Sequence, residues 1–163
     1  MKNKFKLNIL LLFFVFFACN EYSFAQGFKG IIPLESTCED VKRILNVKEC
    51  QFPLSIYWLK DFRISVRYTQ EKPSESDKLC YKVSAGRVSS VTVSYNKPFP
   101  IKEFEYELKY VEGPFGDIDT ITYENSEKGV DVFTNLGRVG TAIFGPTPEQ
   151  YRKFSYDCKS ACK

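Results

Sequence analysis

The stretch Phe62-Arg63-Ile64-Ser65-Val66-Arg67-Tyr68-Thr69 alternates apolar and polar residues without a break. Successive side chains on a strand leave opposite faces. Phe62, Ile64, Val66 and Tyr68 are therefore expected to point to a core, and Arg63, Ser65, Arg67 and Thr69 to water. A strand buried on one face only is the habit of antiparallel sheets. Working outward from it, Ile56-Tyr57-Trp58-Leu59 precedes as a short apolar run. Leu79–Val83, Val88–Tyr95, Ile118–Glu124, Val130–Thr134 and Val139–Phe144 follow as further strands. Ser84-Ala85-Gly86-Arg87 reads as a hairpin turn between two of them. Asn125-Ser126-Glu127-Lys128-Gly129 and Asn135-Leu136-Gly137-Arg138 carry the same turn chemistry. Abundant Tyr and Val suit a strand-rich domain.

One helix stands before the strands. Ser36-Thr37-Cys38-Glu39 has the form of a capping box, with the Ser36 oxygen accepting near Glu39 and Glu39 reaching back. Val41, Ile44 and Leu45 then make one apolar helical face, which predicts a helix over about 37–46 with Asn46 as its stop. An extended lead-in over 26–35 comes first. Lys72-Pro73-Ser74-Glu75-Ser76-Asp77 and Gly113-Pro114-Phe115-Gly116 read as loops, and Lys97-Pro98-Phe99-Pro100 as punctuation. Residues 101–111 fit two patterns: Ile101, Phe104, Leu108 and Val111 at helical spacing, or Phe104, Tyr106, Leu108 and Tyr110 at strand spacing. Gly145-Pro146-Thr147-Pro148 opens a tail expected to fray over about 146–163. The fold class predicted is α+β, an antiparallel sheet covered on one face by one or two short helices. Gly86-Arg87-Val88 and Gly137-Arg138-Val139 both precede strands, which suggests a tandem helix–strand–strand–strand repeat.

The first 25 residues concern location. Lys2, Lys4 and Lys6 precede an apolar run from Leu7 to Ala18, and Ser23-Phe24-Ala25 offers small residues at a cleavage site. This is the pattern of a secretory signal peptide, leaving one domain over 26–163. Phe17-Ala18-Cys19 supports a competing reading as a lipobox, in which Cys19 anchors the chain to a membrane. Without residues 1–25 the chain has 20 Lys+Arg against 19 Asp+Glu and no basic run, which argues against a nucleic-acid partner. The whole chain has no histidine, which excludes Ser-His-Asp and Cys-His catalysis and histidine-based zinc sites.

Cys38, Cys50, Cys80, Cys158 and Cys162 follow the leader, and disulfides are the default state of an exported chain. Two bridges among five cysteines allow fifteen arrangements. The favoured pair is Cys80–Cys158, which closes a loop worth about 4 kcal/mol on the chain-entropy account. Cys38–Cys50, tying the helix start to the following loop, is the second pair. Cys162 is left over, and no metal or cofactor site is expected.

The segment Gly30-Ile31-Ile32-Pro33-Leu34-Glu35-Ser36-Thr37-Cys38-Glu39-Asp40-Val41, closing with Ile44-Leu45, resembles a group of uncharacterised exported bacterial proteins. Their shared opening is Gly-Ile-Val-Pro-Leu-x-Ser-Thr before a short Asp-Val helix. The resemblance extends loosely through Cys80 to Cys158 and implies an exported location and a bridge, but no activity. Cys38 departs from the group's pattern. More distantly, a capped helix before a sheet is similar to domains of outer-membrane assembly lipoproteins and of β-lactamase inhibitor proteins, which implies binding rather than catalysis.

Asp117 and Asp119, with Glu124 and Glu127 nearby, are candidates for a carboxylate cluster, and equally for a solvated strand edge. Glu103, Glu105 and Glu107 alternate, either as an ordinary wet surface or as an acidic patch for a basic partner. Trp58 is expected in the core, with a surface anchor as the alternative. Arg63 and Arg67 share the polar face of their strand and are candidates for an anionic ligand. The function expected is an exported, periplasmic or secreted domain that binds or scaffolds without catalysis, its partner a protein or envelope component. A lipid-anchored assembly factor and a carboxylate- or tyrosine-dependent envelope enzyme are the alternatives.

Overall fold

The computed structural model describes residues 27–71, 79–111 and 120–157. The proposed leader, Cys19, Asp117, Asp119, Cys158 and Cys162 lie outside them. The fold is α+β: a seven-stranded antiparallel sheet, two short helices and a separate two-stranded sheet. Helix α1 spans Cys38–Leu45. Strands β1 (Leu54–Trp58), β2 (Phe62–Tyr68), β3 (Leu79–Tyr81) and β4 (Val88–Pro100) follow, then β5 (Lys109–Val111), β6 (Thr120–Asn125), β7 (Val130–Asn135) and β8 (Arg138–Phe144). Helix α2 (Pro148–Phe154) and β9 (Ser155–Asp157) end the described chain. The large sheet runs β1-β2-β4-β8-β7-β6-β5, and β3 pairs with β9.

The decisive stretch behaves as its alternation predicts. Ile64, Val66 and Tyr68 are buried, whereas Arg63 and Arg67 are exposed. Thr69 departs from the pattern and is buried. The strand ends at Tyr68, and the Thr69 hydroxyl turns inward to donate to the Ser84 carbonyl and accept from the Arg87 amide.

Two three-stranded units, β1-β2-β4 and β8-β7-β6, meet at the centre of the large sheet, and β5 adds a seventh strand beyond β6. Thr92 faces Ile143, and the pair Val91–Phe144 mirrors Val93–Ala142, so a shift of 51 residues exchanges the two ladders. Their neighbours obey the same local twofold. Ile64 beside Val93 corresponds to Val130 beside Phe144, and Val66 beside Val91 to Val132 beside Ala142. The irregularity repeats too: register slips between Arg67 and Tyr68 in one half and between Phe133 and Thr134 in the other. The Gly-Arg-Val units open β4 and β8. Gly86 and Gly137 both take positive φ, a region glycine enters without steric cost. Arg87 donates to the Glu35 carbonyl and Arg138 to the Pro98 carbonyl. Val88 and Val139 are both wholly buried.

The halves differ in their cover. Val41 and Leu45 of α1 close the core over the first. Over the second, a 3-10 turn (Ile101–Glu103) stands where a tandem repeat would put a helix. Phe104, Tyr106 and Leu108 continue from it and pack on the core, with Tyr106 edge-on to Phe144 at 6.1 Å between centroids. Those side chains keep the period of two that their spacing suggested, although no strand forms until Lys109.

Four further expectations are corrected. The capping box lies one residue later: Thr37 and Asp40 form it, because Ser36 is already engaged, its hydroxyl accepting from the Ile32 amide at 2.8 Å. β3 and β4 form no hairpin. The amide of Gly86 and the carbonyl of Arg87 bond to Thr69 at the end of β2, and β3 goes to β9 instead. β4 runs through Lys97-Pro98-Phe99-Pro100, where its ladder with β8 is irregular between Ser94 and Phe99, so that Pro98, which has no N–H to donate, falls in the gap. The tail does not fray at 146. Thr147 and Gln150 cap α2, and buried Gln150 donates to the Pro33 carbonyl at 2.8 Å and to the Glu35 carboxylate at 3.1 Å. Cys38 and Cys50 are bridged. Cys80 is buried and disulfide-bonded to a residue outside those described.

Candidate functional site

Phe28, Ile31, α1 and residues 101–108 pack on the core face of the sheet, and among the described residues the opposite face is open at its β1 end. At its edge, β1 reads Leu54-Ser55-Ile56-Tyr57-Trp58. Ser55 is buried on the covered face, where its hydroxyl donates to the Gln51 carbonyl at 2.9 Å. Leu54, Ile56 and Trp58 therefore fall on the open face, with 38%, 49% and 74% of their surface exposed. The expectation that Trp58 belongs to the core is overturned. The alternation of β1 begins at Leu54, and its inward phase falls on buried Ser55 and half-buried Tyr57 rather than on Leu54, Ile56 and Trp58.

The register brings the sequence candidates together. Trp58 lies opposite Arg63, Ile56 opposite Ser65, and Leu54 opposite Arg67. The Arg63 guanidinium sits 5.3 Å from the Trp58 ring centroid, a cation–π contact worth about 0.5–1 kcal/mol at an exposed site. One strand further in, Ser94, Thr92 and Ser90 face Arg63, Ser65 and Arg67. From β1 to β4 this face is an apolar row, then two guanidiniums, then hydroxyls, and the described residues of these three strands place no carboxylate on it. Among the described residues the ion pairs are Lys42–Glu39 and Arg43–Asp40 on α1, so neither arginine of the open face is paired. Leu54 and Ile56 were missed as surface residues. Their signal is the alternation with Ser55, which the continuous apolar run Ile56-Tyr57-Trp58-Leu59 obscures.

Beyond Arg67 the face deepens into a groove of about 780 Å³ lined by Arg67, Thr69, Tyr81, Ser90, Asp131 and Tyr151 among others. Asp131 lies across from Glu124. Partial burial first, and then the Glu124 charge, raise its carboxyl above the usual range. Glu124 also faces Lys109 on β5. Among the described residues, no group of three or more Cys, Asp or Glu converges to hold a metal ion. Glu103, Glu105 and Glu107 are exposed in and after the 3-10 turn, outside any strand, and are separate from the Trp58 row. No helix among the described residues is long and apolar enough to cross a membrane.

No family model, curated protein or solved structure matches this chain.

Proposed function

We propose that this protein is an exported binding domain that recognises a protein or envelope component through the open face at β1 and β2, with no chemistry of its own. The observation that carries this reading is the row Leu54, Ile56 and Trp58, exposed beside two unpaired arginines. Scattered exposed apolar residues are ordinary on any surface, whereas three in register on one edge strand form a contiguous patch. Trp and Arg are also the side chains that most often dominate recognition surfaces. The Cys38–Cys50 bridge supports an oxidising compartment, and the leader pattern of residues 1–25 supports export to the periplasm or the medium.

Affinity capture from envelope extracts tests the reading, with the natural protein and Trp58→Ala run side by side. A partner retained by the first and lost by the second is the expected result. Equal retention by both, or turnover of a substrate in a broad hydrolase screen with nothing retained, overturns it.

A further inference from the structure

The backbone of β1 carries more information than its side chains. In an antiparallel ladder, alternate residues exchange hydrogen bonds with the neighbour while the others direct N–H and C=O away from it. The Tyr68 amide donates to the Pro53 carbonyl at 2.8 Å, and the Leu59 amide donates to the Phe62 carbonyl at 3.0 Å. Both bonds keep the β1–β2 register, so residues 53, 55, 57 and 59 bond toward β2. Leu54, Ile56 and Trp58 therefore turn their peptide groups to the outer edge. The residues that present apolar side chains on the open face thus also present donors and acceptors that no described residue pairs. β1 is the end strand of the large sheet, and it has no lysine, proline or inward charge of the kind that guards such edges.

We infer that β1 accepts an extended segment of a partner as an added antiparallel strand, one that alternates apolar and polar residues and carries carboxylates at both ends of its apolar row. This rests on the proposed recognition role of the open face and names its partner class. Pairing opposite Leu54, Ile56 and Trp58 forms main-chain hydrogen bonds at all three and places three partner side chains beside the apolar row. Charge selects the rest. Arg67 flanks one end of the row and Arg63 the other, and the described residues of β1, β2 and β4 place no carboxylate on this face. A partner acid at each end meets a guanidinium in a charge-assisted bond. A second copy of this chain is the poorer occupant, because its own β1, Leu54–Trp58, brings apolar residues but no acid.

The test uses the purified protein and the amidated peptide Glu-Thr-Val-Thr-Val-Thr-Val-Thr-Glu, with emission of the single tryptophan, Trp58, as the signal. A saturable blue shift is expected. Replacing both glutamates by lysines should weaken binding by about tenfold or more, as should N-methylation of the three valines or the double variant Arg63→Ala/Arg67→Ala, each loss reporting about one decade in Kd. If the N-methylated peptide binds as tightly as the parent, strand addition is overturned while recognition by the face survives. If the lysine peptide binds as tightly, the acidic partner class is overturned. No peptide response, with Trp58 emission instead following protein concentration and Ile56→Lys abolishing that dependence, assigns the edge to a second copy and overturns the inference. No response to the peptide or to concentration overturns it as well. The capture experiment with Trp58→Ala separately decides the recognition role.

Discussion

Trp58 is a large aromatic whose side chain does little for stability, because most of its surface is in water. Removing a buried tryptophan costs about 3–5 kcal/mol, whereas surface substitutions fall within about 0.5 kcal/mol. Trp58→Ala is therefore expected to leave the urea midpoint nearly unchanged, and a loss above about 2 kcal/mol contradicts the exposed placement. Asp40 is the opposite case, a small surface group with a structural task. Its carboxylate accepts from the Thr37 amide at 3.0 Å, from Arg43 at 2.8 Å and from the Thr37 hydroxyl at 2.9 Å. These donors, the amide first, pull its pKa from 3.8 to about 2. A carboxyl made more acidic by folding stabilises the native state above its unfolded value, and that contribution disappears as pH falls from about 4 toward 2. The side chain is 36% exposed, so solvent screening holds the effect to about 1 kcal/mol, the usual scale of a helix cap. Chemical denaturation between pH 5 and 2 should show a loss of that size in the natural protein and a smaller pH dependence in Asp40→Asn.

At the scale of elements, α2 shows how a short helix is held by one side chain. Gln150 is 6% exposed. Its oxygen accepts from the Thr147 amide at 2.9 Å, and its nitrogen donates to Pro33 and Glu35, so it closes the cap and docks the helix together. Gln150→Ala leaves buried partners unsatisfied and is expected to cost about 2–3 kcal/mol in urea denaturation, with faster amide exchange over 148–154. A change below about 0.5 kcal/mol would mean that α2 is not docked by this residue. The helix was illegible in the sequence for a physical reason. Seven residues are too few for periodicity to stand out, and its anchor is 115 or more positions away along the chain. Strands β2 and β7 were legible because each is half-buried and alternates cleanly. Partner choice was not. Ser84-Ala85-Gly86-Arg87 has hairpin chemistry, yet Thr69 takes its backbone bonds, and local composition does not encode that competition. The candidate site was half-legible: Arg63 and Arg67 stood on a wet face, but which face of Trp58's strand was wet depended on Ser55 being the buried residue.

At the scale of the whole molecule, the large sheet is two units, β1-β2-β4 and β8-β7-β6-β5, sharing one ladder. Joining them through β4 and β8 buries Val91, Val93, Ala142 and Phe144 at the seam, all 0–1% exposed, within one core cluster. A seam of that kind leaves neither half a complete core, so the two are expected to unfold together. The local twofold supplies a stringent test, because Ile64 and Val130 occupy equivalent places on opposite sides of the seam and are each at most 1% exposed. Val130→Ala deletes two buried methyl groups and should cost about 2 kcal/mol, counting transfer and the residual cavity. In native-state hydrogen exchange, the slowest amides of β2 should then lose protection by the same free energy as those of β7, although β2 does not touch the substitution. Ile64→Ala should lower β7 in return. Loss confined to the substituted half would mean that the seam binds two independently stable units, and the sheet would have to be understood as a docked pair rather than a single fold.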